Sequence, residues 1–176
     1  DIDSLENLST AEKVNWVKTE NVAAIIEGSE YPDEYIILTA HLDHVGIEDG
    51  EIHNGADDDG SGSMALLEIA QAFKLAELDG NRPKRSIVIL HVSAEEKGLL
   101  GSKYYVENPL YSLDETITNL NVDMIGRTDP TRESDNENYI YLIGTDRLSS
   151  MLHDTSEKVN KRTINLELDY RFNAWD

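Results

Sequence analysis

Histidine and carboxylate side chains cluster in four short segments of this sequence. The segments are "AHLDH" (residues 40–44), "GADDDG" (55–60), "EE" (95–96) and "VDM" (122–124). Because the chain contains no cysteine, the ligands of any bound metal must come from histidine, aspartate and glutamate. Imidazole and carboxylate donors without thiolates suit one or two divalent ions such as Zn²⁺. The sequence therefore predicts a metal site if folding brings the four segments together.

Three of these segments end an apolar run that is typical of a buried strand. The runs are "YIILTAH" (35–41), "SIVILHVSA" (86–94) and "TITNLNVDM" (116–124). An unpaired carboxylate at the end of a buried strand is costly, so these charges need partners. Sites in α/β sheets gather at the carboxyl ends of strands. We therefore expect the polar segments to meet at one edge of a sheet.

The spacing within two segments indicates a division of roles. His41 and Asp43 share one face of an extended strand, which lets the carboxylate reach the second ring nitrogen and orient the imidazole. Glu95 and Glu96 point in different directions, so one can bind a metal while the other acts as a base. Taken singly, each pair also fits a solvated surface, and Asp123 alone fits a turn cap. Their joint occurrence favours the site.

The three consecutive aspartates have a second interpretation as a calcium-binding loop. Asp57, Asp59 and Ser61 occupy positions one, three and five of an EF-hand template, and Glu68 occupies position twelve. An EF-hand also needs a helix that enters the loop, and "IEDGEIHNGA" has no helical period. We therefore favour a tight turn that leads into a helix N-terminus, where the helix dipole favours negative charge.

The order of the elements predicts an α/β fold. Strands over 22–28, 35–41, 86–94, 116–124, 139–144 and 163–168 give a sheet of about six strands. Helices are predicted over 63–78, 97–107 and 146–160, and a Ser9 to Glu12 capping box predicts a short N-terminal helix. This alternation is typical of a three-layer α/β/α sandwich with a mixed, largely parallel sheet. We expect one catalytic domain over 1–176, with 1–20 as a lead-in segment.

The charge balance excludes some partners. With 35 acidic and 15 basic residues the formal net charge is -20, so the surface repels nucleic acid and anionic membranes and attracts cations. No apolar run approaches the roughly 20 residues of a transmembrane helix. The first ten residues also lack the basic and apolar pattern of a signal peptide.

Four ordered motifs together resemble the co-catalytic zinc aminopeptidase family. They are "TAHLDHVG", "NGADDDGSG", "RSIVILHVSAEEKGLLGSKYYV" and "NVDMIGR", and the resemblance spans roughly residues 21 to 127. The family includes bacterial leucyl-type aminopeptidases and, more distantly, glutamate carboxypeptidase and glutaminyl cyclase. Family members are often exported, so the resemblance predicts a periplasmic or secreted protein with a peptide substrate.

The resemblance implies a role for each matched residue. Asp58 bridges two zinc ions, and the peptide bond to Asp59 is often cis in this family. Glu95 is the general base that activates water for attack on a peptide bond, and Asp43 orients a histidine ligand. His44 has no ligand role in this mapping. The implied ligands of the two ions are His41, Asp58, Glu96 and Asp123.

The chain departs from the family pattern after the last motif. The family supplies a further histidine ligand in a late segment, and His153 lies in a helical stretch with the wrong spacing, which indicates a surface or packing residue. We therefore expect the sequence to be cut before the end of the domain and this 176-residue chain to be inactive or nearly so. The alternatives are a carboxypeptidase-like or cyclase-like member, or a non-catalytic binding domain on the same fold.

Overall fold

The computed structural model describes residues 17–173, so the predicted Ser9 to Glu12 capping box lies outside the described residues. In chain order the elements are β1 (Val22–Ile26), β2 (Tyr31–His41), β3 (Gly46–Glu48), β4 (Glu51–His53), α1 (Gly60–Leu78), β5 (Arg85–Val92), α2 (Leu100–Glu107), β6 (Thr116–Asn121), β7 (Tyr139–Tyr141), α3 (Thr145–Leu148), α4 (Ser150–Arg162) and β8 (Glu167–Asp169).

The central sheet has four strands in the order β1-β5-β2-β6. Strand β2 runs parallel to both β5 and β6, whereas β1 runs antiparallel to β5. The register pairs His41 with Val92 on one side, and Thr39 with Asn121 on the other. The carboxyl ends of β2, β5 and β6 therefore meet at one edge of the sheet, as expected for a mixed, mostly parallel α/β sheet.

Apolar side chains cover both faces of this sheet. On one face α1 presents Leu66, Ile69, Ala70 and Phe73, which recur at helical spacing and pack against the strands. On the other face Tyr105 of α2 joins a second cluster. Strand β5 is buried from its second residue onward because it lies between the two clusters, which explains its nearly continuous apolar sequence. The three-layer prediction is confirmed.

Two details of the predicted sheet are wrong. The segments near 139 and 167 do not extend the central sheet, because β7 and β8 pair with each other in a separate parallel sheet. The sequence identifies short strands but not their partners. The β3–β4 hairpin was also missed, although Asp49 and Gly50 carry a usable signal. Both have positive φ, the conformation that an Asp-Gly turn favours.

The chain divides into two compact units, of which the first ends at Met124 and the second begins at Ile125. The second unit contains β7, β8, α3 and α4. The helix predicted over 146–160 is interrupted at Ser149, whose side chain accepts a hydrogen bond from the Leu152 N–H and begins α4. The single catalytic domain over 1–176 stays a prediction. Among residues 17–173, no helix has the length and apolar character that spanning a membrane requires.

Helix α1 begins directly after the three aspartates. Asp59 is its N-cap and is almost fully buried. Its Oδ1 accepts hydrogen bonds from the Gly62 N–H at 3.0 Å and the Met124 N–H at 3.4 Å, while Oδ2 accepts the His41 N–H at 3.0 Å. Because residues from Gly60 onward are already helical, the calcium-loop interpretation is excluded. The peptide bond between Asp58 and Asp59 is cis, as the family resemblance implies.

Replacing Asp59 with alanine should destabilise the metal-free protein by at least about 2 kcal/mol, since three main-chain N–H groups lose their acceptor. Asp58→Ala is the matched control. The Asp58 side chain is 37% exposed, and its loss should change the free energy of unfolding by less than about 0.5 kcal/mol. Urea unfolding in the presence of a chelator, followed by circular dichroism, measures both variants. Equal stability losses in the two would contradict this assignment.

In the second unit, Asp129 anchors a turn. Its carboxylate accepts hydrogen bonds from the Thr131 hydroxyl at 2.6 Å, the Tyr141 hydroxyl at 2.7 Å and the Thr131 N–H at 2.7 Å. These bonds favour the ionised form and lower the pKa of Asp129 to about 2. Because this pKa is below the unfolded value of about 3.9, the stabilisation is complete above about pH 4 and is lost as the pH falls toward 2.

A carboxyl NMR titration should therefore place the midpoint of Asp129 near 2. Tyr141→Phe should move it upward, because one hydrogen bond to the carboxylate is removed. Tyr139→Phe is the control, since that hydroxyl accepts the Asp129 N–H and does not touch the carboxylate. A midpoint near the unfolded value in the wild-type protein would show that these bonds do not form.

Candidate functional site

The sheet register brings the predicted segments to one edge. His41 is the last residue of β2, Glu95 and Glu96 follow the end of β5, and Asp123 follows the end of β6. The fourth segment, with Asp58, precedes α1 and is tied to the same edge through its neighbour Asp59. All of these residues belong to the first compact unit.

The buried His41 ring lies at the centre of the site. Its Nδ1 lies 2.9 Å from the carbonyl oxygen of Asp43. A carbonyl can only accept, so Nδ1 carries a proton, and Nε2 is the ring nitrogen that can bind a metal once it is deprotonated. Three carboxylate oxygens lie within 4.0 Å of Nε2, from Asp58 at 3.0 Å, Asp123 at 3.9 Å and Glu95 at 4.0 Å. This arrangement presents one nitrogen and several oxygens to a common point.

The Asp43 carboxylate has hydrogen-bond partners other than the histidine ring that the sequence predicted. Its nearer oxygen is 3.8 Å from Nδ1 of His41, beyond hydrogen-bond distance. Oδ1 of Asp43 instead accepts the N–H of Glu95 at 2.9 Å, and Oδ2 accepts the N–H of Glu96 at 3.2 Å. The main chain of Asp43 thus orients the histidine, and its side chain holds the Glu95–Glu96 loop. The spacing of two residues predicts only that Asp43 lies beside His41. It does not show whether the carbonyl oxygen or the carboxylate of Asp43 contacts the histidine.

The three aspartates have three different environments. Asp59 is committed to main-chain N–H groups, as described above. The carbonyl oxygen of Asp57 accepts a hydrogen bond from the Ser61 hydroxyl at 2.7 Å, which ties it to the first turn of α1. Asp58 projects toward His41 and toward a second cluster. Sequence alone gave no signal that the buried aspartate of the three would be Asp59.

Among residues 17–173, two groups of three donors have ligand atoms within 4.8 Å of one another. One contains His41, Asp59 and Asp123. Both Asp59 oxygens already accept main-chain N–H groups, so Asp58, which is closer to Nε2 of His41, is the better ligand there. The other group contains His44, Asp58 and Glu96. Asp58 therefore adjoins both groups, and His44 is a member that the sequence mapping left out.

The charge of the site is strongly negative. Burial raises the pKa of Asp123 to about 6, assisted by the neighbouring carboxylates of Asp59, Asp58 and Glu95. Burial works against a charged His41, but the Asp43 carbonyl and the surrounding carboxylates outweigh it and raise its pKa. Burial also raises the pKa of Asp59, while its N–H donors oppose the shift. The shifts of Asp123 and Asp59 therefore reflect buried carboxylates, with the His41 imidazole opposing the rise of both pKa values.

The donor set fits divalent zinc. Within residues 17–173, the ion-pair partners of Asp58, Glu95, Glu96 and Asp123 are imidazoles, with no lysine or arginine among them. Imidazole nitrogen and carboxylate oxygen are standard zinc ligands, and the main-chain contact of His41 fixes the tautomer that a metal requires. The residues present can thus hold the cation that the resemblance implies.

His153 lies in the second unit and has other contacts. Its Nδ1 is 3.0 Å from the Thr145 hydroxyl, and its ring packs against Tyr170 with centroids 5.2 Å apart. These contacts agree with the expected packing role.

Several known proteins are similar to this chain. A probable glutamate carboxypeptidase, LAMP1 of Arabidopsis thaliana, is 39% identical over 118 residues, covering 66% of this chain and 16% of its own length. Aminopeptidase NAALADL1 of Rattus norvegicus is 37% identical over 119 residues, covering 66% of this chain and 15% of its own length. The chain thus spans about a sixth of the length of these relatives.

Solved structures extend the similarity. BSAP, a zinc aminopeptidase from Bacillus subtilis, superposes with a TM-score of 0.64 at 26% identity, covering 84% of this chain and 33% of that one. LapB from Legionella pneumophila gives a TM-score of 0.63 at 25% identity, covering 85% of this chain and 37% of that one. The model of peptidase family M28 matches residues 21–174. The chain belongs to peptidase family M28.

Proposed function

We propose that the natural polypeptide that carries these residues is a zinc metallopeptidase, and within that class an aminopeptidase. The observation that supports it most is the convergence of three carboxylates within 4.0 Å of Nε2 of the buried His41. In a chain of a peptidase family, this donor set provides the ligands and a base at one edge of the sheet.

The proposed ligands divide between two ions. His41, Asp58 and Asp123 would hold the first ion, and Asp58 and Glu96 would contribute to the second. When bound, zinc lowers the pKa of water and polarises the scissile carbonyl group. The excess of carboxylate at this edge balances the positive charge of the ions.

Glu95 is the proposed general base. Its main-chain N–H is held by Asp43, and its carboxylate lies 4.0 Å from Nε2 of His41 while remaining partly exposed. A carboxylate in this position can take a proton from water and return it to the leaving amine. Glu96, the next residue, faces His44 instead. The two adjacent glutamates thus fit the predicted division between base and ligand.

The substrate class rests on relatives. Both an aminopeptidase and a probable glutamate carboxypeptidase match with similar identity. The structural neighbour BSAP is a zinc aminopeptidase, which favours removal of N-terminal residues. A carboxypeptidase acting on C-terminal glutamate is the second candidate, supported by LAMP1.

An exported location is also part of the proposal. A similar structure, 26% identical with a TM-score of 0.62, is described as a peptidase M28 precursor from Shewanella amazonensis and covers 88% of this chain and 30% of that one. Extracellular or periplasmic fractionation of the native host tests this location.

The natural polypeptide should release nitroaniline from aminoacyl-nitroanilides in a zinc-dependent reaction. Glu95→Gln should lower kcat by at least about 100-fold, since a general base is lost, with bound zinc unchanged. Glu107→Gln, at the exposed end of α2, is the control. Full activity in Glu95→Gln would contradict the assigned role.

Two further substrates separate the alternatives. Preferential cleavage of an N-blocked peptide with C-terminal glutamate would favour the carboxypeptidase, and cyclisation of an N-terminal glutamine would favour the cyclase. Zinc binding without turnover of any substrate would favour a binding domain. The 176-residue chain alone is expected to show little or no turnover, and measurable activity abolished by Glu95→Gln would overturn that expectation.

Asp43→Asn should lower kcat or zinc affinity by about 10- to 100-fold, because an amide nitrogen replaces one acceptor of the Glu95 and Glu96 N–H groups. The KM should change little, since Asp43 holds the loop and not the substrate. Asp49→Asn is the control because asparagine tolerates the positive φ of that exposed turn. Steady-state kinetics and metal analysis measure both, and unchanged values in Asp43→Asn would refute the role.

A further inference from the structure

We propose that His44 binds the second metal ion through Nδ1, together with Asp58 and Glu96. This inference rests on the proposed function in requiring a metal ion at this edge of the sheet. The second ion then has three ligands from this chain instead of two, because His44, the residue after Asp43, adds an imidazole to Asp58 and Glu96.

The contact between His44 and Glu96 has the form of two ligands that share an ion. Nδ1 of His44 lies 2.8 Å from Oε1 of Glu96. Both atoms are shielded from solvent, yet neither has a hydrogen-bond partner of acceptable geometry among the described residues, including each other. Two ligand atoms of one zinc ion each lie about 2 Å from the ion and about 3 Å from each other. Their lone pairs point at the ion and not at each other, so the two atoms form no hydrogen bond.

A simple ion pair explains this contact less well. A protonated imidazole would point its N–H at the carboxylate oxygen, which produces a hydrogen bond. That bond is absent here despite the short distance. Two buried polar atoms left without hydrogen bonds are costly, so their persistence side by side indicates a missing partner. A cation between them and Asp58 supplies that partner.

Two neighbours hold this pair in place. Asp43 precedes His44 in the chain and accepts the Glu96 N–H, so one residue positions both donors. Gly55 lies against the His44 ring, and a Cβ at that position would come within 2.9 Å of His44 Cβ and Cγ. The Gly55 φ of 65° also disfavours other residues. The glycine before the aspartates therefore leaves room for the imidazole.

In the resulting site each of the two ions would have one imidazole ligand. The first ion would have His41 and the second His44, with Asp58 adjoining both donor groups. The second ion would then have one nitrogen and two carboxylate ligands. Three protein ligands leave an open position, as in catalytic zinc sites.

Cobalt titration of the 176-residue chain tests the inference. The wild-type chain should bind two Co²⁺ ions, and His44→Ala should weaken one of them by at least about 100-fold, beyond the loss for an outer-shell partner. His53→Ala is the control, since His53 is exposed on β4 with its ring centroid 6.3 Å from that of His44. Calorimetry with Zn²⁺ repeats the comparison, and circular dichroism checks folding.

His44→Cys gives a positive signal that does not depend on loss of binding. A thiolate at position 44 should add a sulfur-to-cobalt charge-transfer band, and His53→Cys should not. Two unchanged Co²⁺ sites in His44→Ala and no band in His44→Cys would overturn the inference and leave the proposed peptidase intact. Failure of the wild-type 176-residue chain to bind any Co²⁺ or Zn²⁺ would also overturn the inference, whereas the proposed function is tested separately by the turnover of the natural polypeptide.

Discussion

The site depends on the buried carboxylate of Asp59. Its two oxygens hold the main-chain N–H groups of His41, Gly62 and Met124, which belong to the end of β2, the start of α1 and the segment after β6. A single side chain thus fixes three parts of the chain relative to one another. Because Asp58 immediately precedes this anchor, its direction is set by the same bonds. The proposed ligands His41 and Asp58 are therefore held by hydrogen bonds that need no metal.

Asp43 is a second anchor, which positions His41 and the Glu95–Glu96 loop. Asp43 orients His41 through its carbonyl oxygen and holds Glu95 and Glu96 through its carboxylate. Within residues 17–173 the ion-pair partners of these carboxylates are imidazoles, so mutual repulsion of the carboxylates favours their exposure to solvent. Main-chain hydrogen bonds hold Asp59 and the Glu95–Glu96 loop in place, and the resulting cluster of carboxylates suits a divalent cation.

Much of the site could be predicted from sequence because parallel strands impose a simple rule. Polar residues after buried strands meet at one edge, and this places His41, Glu95 and Asp123 together without further information. The three-layer arrangement could be predicted from the alternation of strands and helices along the chain. Spacing could not reveal which aspartate of three becomes buried, because that depends on N–H groups from distant segments. It also could not tell the carbonyl of Asp43 from its carboxylate, or exclude β7 from the central sheet. His44 was left out of the candidate ligands because family motifs, and not contacts, assigned them.

Asp58 is the proposed bridge between two metal ions. Anomalous diffraction at the zinc edge from crystals of the zinc-loaded protein locates those ions. We expect two peaks about 3.5–4 Å apart on either side of the Asp58 carboxylate, one beside His41 and the other beside Glu96. A single peak away from Asp58, or zinc bound only elsewhere on the surface, would exclude the bridging position.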